Sequence, residues 1–213
     1  MKLLESFVRQ VLNETGGAKT PEDLLAIDGS FILVEPDEES SDGIQIYYGS
    51  RQEDPSSLSP EGRVLISRVE EHPVYSRAGS AMGSYMVSMS DATKGWGPML
   101  YDVAMEIATS IEHRGLTADR GNVSSSAKRV WDFYYNNRTE KTGGPIKYAQ
   151  LDDPNNTLTP THKDNTNQTS AKKWSGHDDW QNSSLSKVYY SSGTPVIDKL
   201  KRLGLIEFEG IGV

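Results

Sequence analysis

Cysteine is absent from the 213 residues. That excludes a disulfide framework, a thiolate zinc site and a cysteine nucleophile. Long apolar runs are also missing: no stretch approaches the roughly 20 residues needed to cross a bilayer. Positive charge is scarce, with 22 Lys and Arg against 30 Asp and Glu and a net charge of −8. A general nucleic-acid binder wants a basic surface, so general nucleic-acid binding is not expected, and neither is a membrane partner. The four histidines, His72, His113, His162 and His177, form no readable constellation. There is no G-x-S-x-G elbow and no Walker A sequence. What remains suits a globular domain with a sizeable core, since 35% of the residues are apolar.

The richest stretch runs from Ser84 to Asn137. Tyr85, Val87 and Met89 alternate with small polar residues, as in a half-buried strand. The loop Ala92-Thr-Lys-Gly-Trp-Gly97 follows, with Pro98 at a helix start. Leu100, Val103, Ala104, Ile107 and Ile111 then recur at helical spacing, and Gly115 stops the run. Leu116 to Ala118 reads as a short strand. Ser124 or Ser125 caps a further helix with Ala127, Val130, Trp131, Tyr134 and Tyr135 on its apolar face. A glycine loop opening into a helix leaves N–H groups unpaired at the positive end of the helix dipole. Gly95 and Gly97 let a bulky anion approach the main chain, and Lys94 adds positive charge. A pyrophosphate fits this layout; on spacing alone, so does a plain tight turn.

Gly95-Trp96-Gly97-Pro98-Met99-Leu100 resembles the G-x-G-x-x-L core of the coenzyme A loop of GNAT-superfamily acyltransferases. The surrounding elements come in that family's order. Ser124-Ser-Ser-Ala127-Lys-Arg-Val130-Trp131 is similar to the family's N-x-x-A-x-x-L-Y pattern, but altered. Gly97 to Glu106, Gly115 to Ser124 and Val130 to Tyr134 look like a group of GNAT-like proteins encoded by tailed phages. Two positions depart from the family: Ala92 stands where Gln or Arg usually begins the loop, and Trp131 stands where the family often has its acid Tyr. An indole N–H is not a useful acid.

The resemblance implies an α/β fold, a GNAT-like mixed, mostly antiparallel sheet flanked by helices. It implies acyl transfer from acetyl-CoA or another acyl-CoA, as co-substrate, to an unidentified small-molecule or protein amine. Lys94, Gly95, Trp96, Gly97, Pro98 and Met99 would bind the cofactor. A main-chain group of Tyr85–Ser90 would orient the thioester. Tyr134 is the candidate acid, with Asp119 or Glu70 as base. The alternative is a non-catalytic GNAT-fold phage protein with a structural, packaged or partner-binding role. The location would be the host cytoplasm, or the virion.

Residues 1–14 read as an amphipathic helix, with Leu3, Leu4, Phe7, Val8, Val11 and Leu12 on one face. They lack the h-region of a secretory signal. The helix docks on the domain or on a partner, in a homo-oligomer or a phage particle. Its M-K-x-x-x-x-F opening and Leu12-Asn13-Glu14 are similar to capsid-targeting peptides of T-even-like phages, cut after the Glu. Residues 15–213 read as one domain. Lys19 to Ile27 is a short helix with Thr20 as N-cap and Pro21 at N1. Phe31–Val34 and Ile44–Tyr48 flank an acidic turn lacking calcium-loop spacing. Arg51 to Glu61 reads as a polar linker, and Val64–Val69 as a strand.

Residues 139–184 read as a polar insertion on the surface. Within it His177, Asp178 and Asp179 form either a metal or acid–base group or a loop pinned by Trp174 and Trp180. The chain closes with a strand at Leu185–Tyr190, a helix at Pro195–Leu203 capped by Thr194, and a strand at Leu205–Glu209. These two strands are expected to pair antiparallel and complete the sheet.

Overall fold

The computed structural model describes residues 18–51, 58–69, 81–93, 95–140, 144–160 and 163–211. The N-terminal helix reading, Glu70, Lys94, His72 and His162 lie outside them.

Eight strands form one sheet: β1 (Ser30–Pro36), β2 (Ile44–Arg51), β3 (Leu58–Arg68), β4 (Tyr85–Ala92), β5 (Leu116–Thr117), β6 (Lys147–Gln150), β7 (Lys187–Tyr190) and β8 (Ile206–Phe208). Their spatial order is β6-β7-β5-β4-β3-β2-β1-β8. β1 to β4 form an antiparallel meander. β7 is antiparallel to both β5 and β6. Among the described residues, the strand pairs that run parallel are β4–β5 and β1–β8. The architecture is therefore mixed α/β with a mostly antiparallel sheet. β2 ends at Arg51 and β3 starts at Leu58, so the first residue and the last four of the expected linker are strand.

Five α-helices accompany the sheet among the described residues: α1 (Pro21–Leu25), α2 (Gly97–Glu106), α3 (Ser125–Phe133), α4 (Thr169–Ser175) and α5 (Pro195–Leu203). Local chemistry explains several ends. Thr20 and Asp23 close a capping box around Pro21. The Ser124 hydroxyl accepts from Ala127 N–H at 3.1 Å. Gly204 ends α5 in the left-handed region at φ 68°. α2 and α3 each run on through one π turn, at Ile107–Ile111 and Tyr134–Arg138.

α2 lies across β2 and β3 with α5 beside it. It buries Met99, Leu100, Tyr101, Val103, Ala104 and Met105, so it is apolar nearly all round. Below it, alternate residues Ile44, Ile46 and Tyr48 of β2 and Val64 and Ile66 of β3 fill the core. Trp131 sits within an aromatic cluster, stacked on Tyr189 at 5.2 Å and edge-on to Tyr101 at 5.6 Å. Such pairs each add about 0.5–1.5 kcal/mol beyond their buried area.

Three expectations need correction. The two last strands do not pair with each other. β7 lies between β5 and β6, whereas β8 runs parallel to β1 at the far edge. The outer partner of β7 is β6, from the polar segment. That segment is not simply laid on the surface either: Leu151, Asp152, Thr166, Gln168, Ala171 and Trp180 are all buried. Its interior is polar and hydrogen-bonded, so hydropathy does not register it. Finally, Thr194 makes no side-chain cap to α5. The Glu106 carboxylate does so instead, accepting from Val196 N–H at 3.0 Å and Ile197 N–H at 2.8 Å.

Candidate functional site

β4 is the strand from which the candidate site is built. It pairs with β5 at only two positions, Tyr85 with Leu116 and Met86 with Thr117. Beyond Met86 the two strands part. β4 keeps its pairing with β3 on the other side, but Leu65 faces Met89 while Ile66 faces Val87. Ser88 is the extra residue, a β-bulge that bends the strand and re-aims its main chain. Its hydroxyl donates to Leu65 O at 3.2 Å. The end of β4 is then open: Met89, Ser90 and Asp91 are exposed.

The loop to α2 is anchored from within. Trp96 is buried and stacks on Tyr48, ring centroids 4.3 Å apart. Its N–H donates to Thr93 O at 3.1 Å, closing a turn. Gly95, at φ 95°, occupies a conformation that other residues resist. Its carbonyl accepts from Lys19 N–H at 2.9 Å. A Cβ built on Gly97 would meet nothing within 4 Å. The helix therefore starts at an open position. Pro98 has no N–H, and Leu100 N–H bonds Trp96 O. The first-turn donors outside the helical ladder are those of Gly97 and Met99. Trp96 itself is committed, its ring to Tyr48 and its backbone N–H and carbonyl to Thr93 and Leu100.

Tyr101, one turn along α2 from Gly97, lies beside the open end of β4 with its hydroxyl 3.0 Å from Ser90 Oγ. Burial pushes its phenol up to about 12, with the Asp119 charge acting in the same direction and the Ser90 bond against it. Sequence reading passed over Tyr101, which stands next to the apolar stripe and not in it. Its place four residues after Gly97, on the same helix face, was the available signal.

Of the three named acid–base candidates, Asp119 and Tyr134 fall among the described residues, and each is engaged in hydrogen bonds. Glu70 lies outside the described residues. Asp119 follows β5, and its Oδ1 accepts from Gly121 N–H at 2.6 Å and Asn122 N–H at 2.9 Å, holding the turn to α3. Its neighbour Arg120 is wholly buried. Arg120 donates to the carbonyls of Ala118 at 2.7 Å and Leu185 at 2.6 Å, and to Gln168 Oε1 at 3.3 Å. Tyr134 is 1% exposed. Its hydroxyl lies 2.8 Å from Asp102 Oδ1 and 3.4 Å from the Pro98 carbonyl. Asp102 also takes Arg138 Nη1 at 2.6 Å. Burial pushes Asp102 up despite the Arg138 charge, and holds the Tyr134 phenol well above its ordinary value. This trio ties the π turn after α3 to the first turns of α2.

His177 is exposed, its Nδ1 3.9 Å from Asp178 Oδ1. It lines a cavity of about 330 Å³ with Asp153, Asn156, Lys172, Trp180 and Gln181. No group of three or more His, Cys, Asp or Glu gathers among the described residues. No helix there is long and apolar enough to cross a membrane. Comparison of the chain with protein-family models, curated proteins and solved structures finds no match.

Proposed function

We propose that the chain is a GNAT-like N-acyltransferase that takes an acyl group from acetyl-CoA or another acyl-CoA. One observation carries the reading. β4 leaves β5 after two residue pairs, beside a helix whose first turn is open at Gly97. A gap of this kind admits an extended thioester, and the helix N-terminus suits its pyrophosphate. The bulge at Ser88 and the parallel β4–β5 pair in an otherwise antiparallel neighbourhood support it.

In this reading the N–H groups of Gly97 and Met99 hold the pyrophosphate, with Lys94 beside them. The main chain of β4 near the bulge orients the thioester carbonyl. The acceptor amine attacks that carbonyl directly. The C–N bond forms, the C–S bond breaks, and the amine proton passes to a base, for which Asp119 and Glu70 remain the candidates. A thiol ionises near pH 8.5, so coenzyme A can depart as thiolate. With its pKa near 12, Tyr101 keeps its proton and serves as a hydrogen-bond donor through Ser90. It is the better-placed phenol, because the Tyr134 hydroxyl is committed to Asp102.

The test is calorimetric titration with acetyl-CoA of the wild-type chain and of Gly97→Trp. The open space at Gly97 lets the variant fold, with an unchanged Tm as the control. Saturable binding by the wild type, lost in the variant, is expected. No binding at millimolar ligand refutes the reading. A second, non-catalytic reading draws on Trp131, which is core where the family often has its acid Tyr. Binding without acyl transfer to any amine of a broad panel would select it.

A further inference from the structure

The polar segment after β6 contains a second constellation, separate from the glycine loop. Asp152 is 0% exposed and Asp164 is 4% exposed. The chain folds back so that Asp152 N–H donates to Asp164 O at 3.1 Å and Thr166 N–H donates to Asp152 O at 2.9 Å. Both carboxylates then converge on Thr159. Its hydroxyl oxygen is 2.9 Å from Asp152 Oδ2 and 2.9 Å from Asp164 Oδ2. Its N–H also donates to Asp152 Oδ2 at 2.9 Å.

One hydroxyl carries one proton, so it serves only one of the two carboxylates at a time. The other contact sets lone pair against lone pair. The outer oxygens make the imbalance larger. Asp152 Oδ1, Asp164 Oδ1 and Thr166 Oγ1 are buried without a hydrogen-bond partner. Buried polar atoms are nearly always paired, and buried charges need compensation. Lys172, on α4, is paired with Asp153 at 2.8 Å rather than with this pair.

We infer that Asp152 and Asp164, with Thr159 between them, hold a hard divalent cation, calcium. The side-chain atoms that converge here are carboxylate and hydroxyl oxygens, and that is the donor chemistry calcium takes. Two carboxylates balance its charge. Backbone carbonyls and water complete the six to eight oxygens it requires. So few charged ligands place the affinity in the weak class, on the order of 10⁻⁴ M. The cation stitches the start of the segment to its return. Gln168, which donates to Asp152 O at 3.3 Å and accepts from Arg120, links that stitch to the end of β5 and the turn at Asp119. Metal occupancy is thereby coupled to the turn that follows β5.

The experiment uses the full chain stripped with EDTA and titrated with calcium chloride, followed by calorimetry and by thermal unfolding. Saturable one-site heat is expected, with a rise in Tm of several degrees at about 50 times the dissociation constant. Asp152→Asn and Asp164→Asn should each lose the heat and the calcium-dependent rise. If either variant fails to fold, the wild-type titration decides alone. No heat and no shift at about 10 mM calcium, a hundredfold above the expected constant, overturns the inference. So does calcium binding undiminished in the double variant, or binding of magnesium in preference to calcium. A pair that instead shares a proton shows pH-dependent stability indifferent to calcium, and that outcome overturns the inference too.

Discussion

Glu106 is a carboxylate with two opposing influences on it. Burial raises its pKa to about 7, while the N–H groups of Ile197 and Val196 pull it down. The folded value lies above the ordinary one of 4.5. Between those two values the folded chain holds a proton that the unfolded chain has released. Stability is therefore lost through this group as pH rises from about 4.5 to 7. Glu106→Gln should flatten that part of the pH profile. Its amide oxygen can take the place of Oε2, which serves both N–H groups. Glu106→Ala removes the cap and leaves a cavity, and should cost at least about 2 kcal/mol in urea unfolding at pH 8. An unchanged pH slope in Glu106→Gln would assign the titration elsewhere. At the same scale, Tyr134→Phe removes one buried hydrogen bond to Asp102. A loss of about 1 kcal/mol in stability is expected, with no change in acetyl-CoA affinity. A loss of turnover at unchanged stability would instead assign Tyr134 as the acid.

In the proposed acyltransferase reading the short strand β5 sets the width of the gap beside β4, and Gly115 sets the position of β5. A Cβ on Gly115 would stand 2.2 Å from Val188 Cγ2 and 2.8 Å from Tyr190 Cε1, both on β7. The Gly115 carbonyl also accepts from Tyr85 N–H at 2.8 Å, tying β5 to β4. Gly115→Ala must therefore push β5 off β7 or twist it. A loss of about 1–3 kcal/mol in chemical denaturation is expected, with weaker acetyl-CoA binding because the gap closes. Wild-type stability in this variant would show that β7 yields freely. Elements of this kind were only partly legible in the sequence. Thr20, Ser124 and Gly204 announce helix ends because capping is local chemistry within three or four residues. The alternation in β4 and the helical stripe of α2 were equally plain. The Glu106 cap was not, since its partners lie ninety residues away. Nor was the bulge at Ser88, which exists only as a register difference between two strands. The polar segment misled because its buried side chains, Asp152, Gln168 and Ser170 among them, carry the composition of a surface.

Across the whole molecule, the sheet's two edges are managed differently. At one end β8 runs parallel to β1, and Ile32 N–H donates to Leu205 O at 2.8 Å. At the other end the short β6 places exposed Lys147 near the rim. A chain ending at Gly204 would uncover the edge of β1, with Ile32 and Val34 at its centre. Open apolar edges recruit strands from other copies. Self-association of that variant on size-exclusion chromatography is expected at concentrations where the full chain keeps its elution position. Identical elution of the two would show that β1 does not depend on β8. The position of β8 was beyond sequence reading. A strand of three residues pairs according to where α5 delivers it, not according to its own pattern.

The unobstructed position at Gly97 has a practical use in a chain without a single thiol. Gly97→Cys would create a unique attachment point at the start of α2. A fluorophore or spin label coupled there would report ligand arrival directly, with no other sulfhydryl competing for the reagent. Shielding of the thiol from alkylation by coenzyme A, but not by adenosine, would then read out which part of the ligand the first turn of α2 holds.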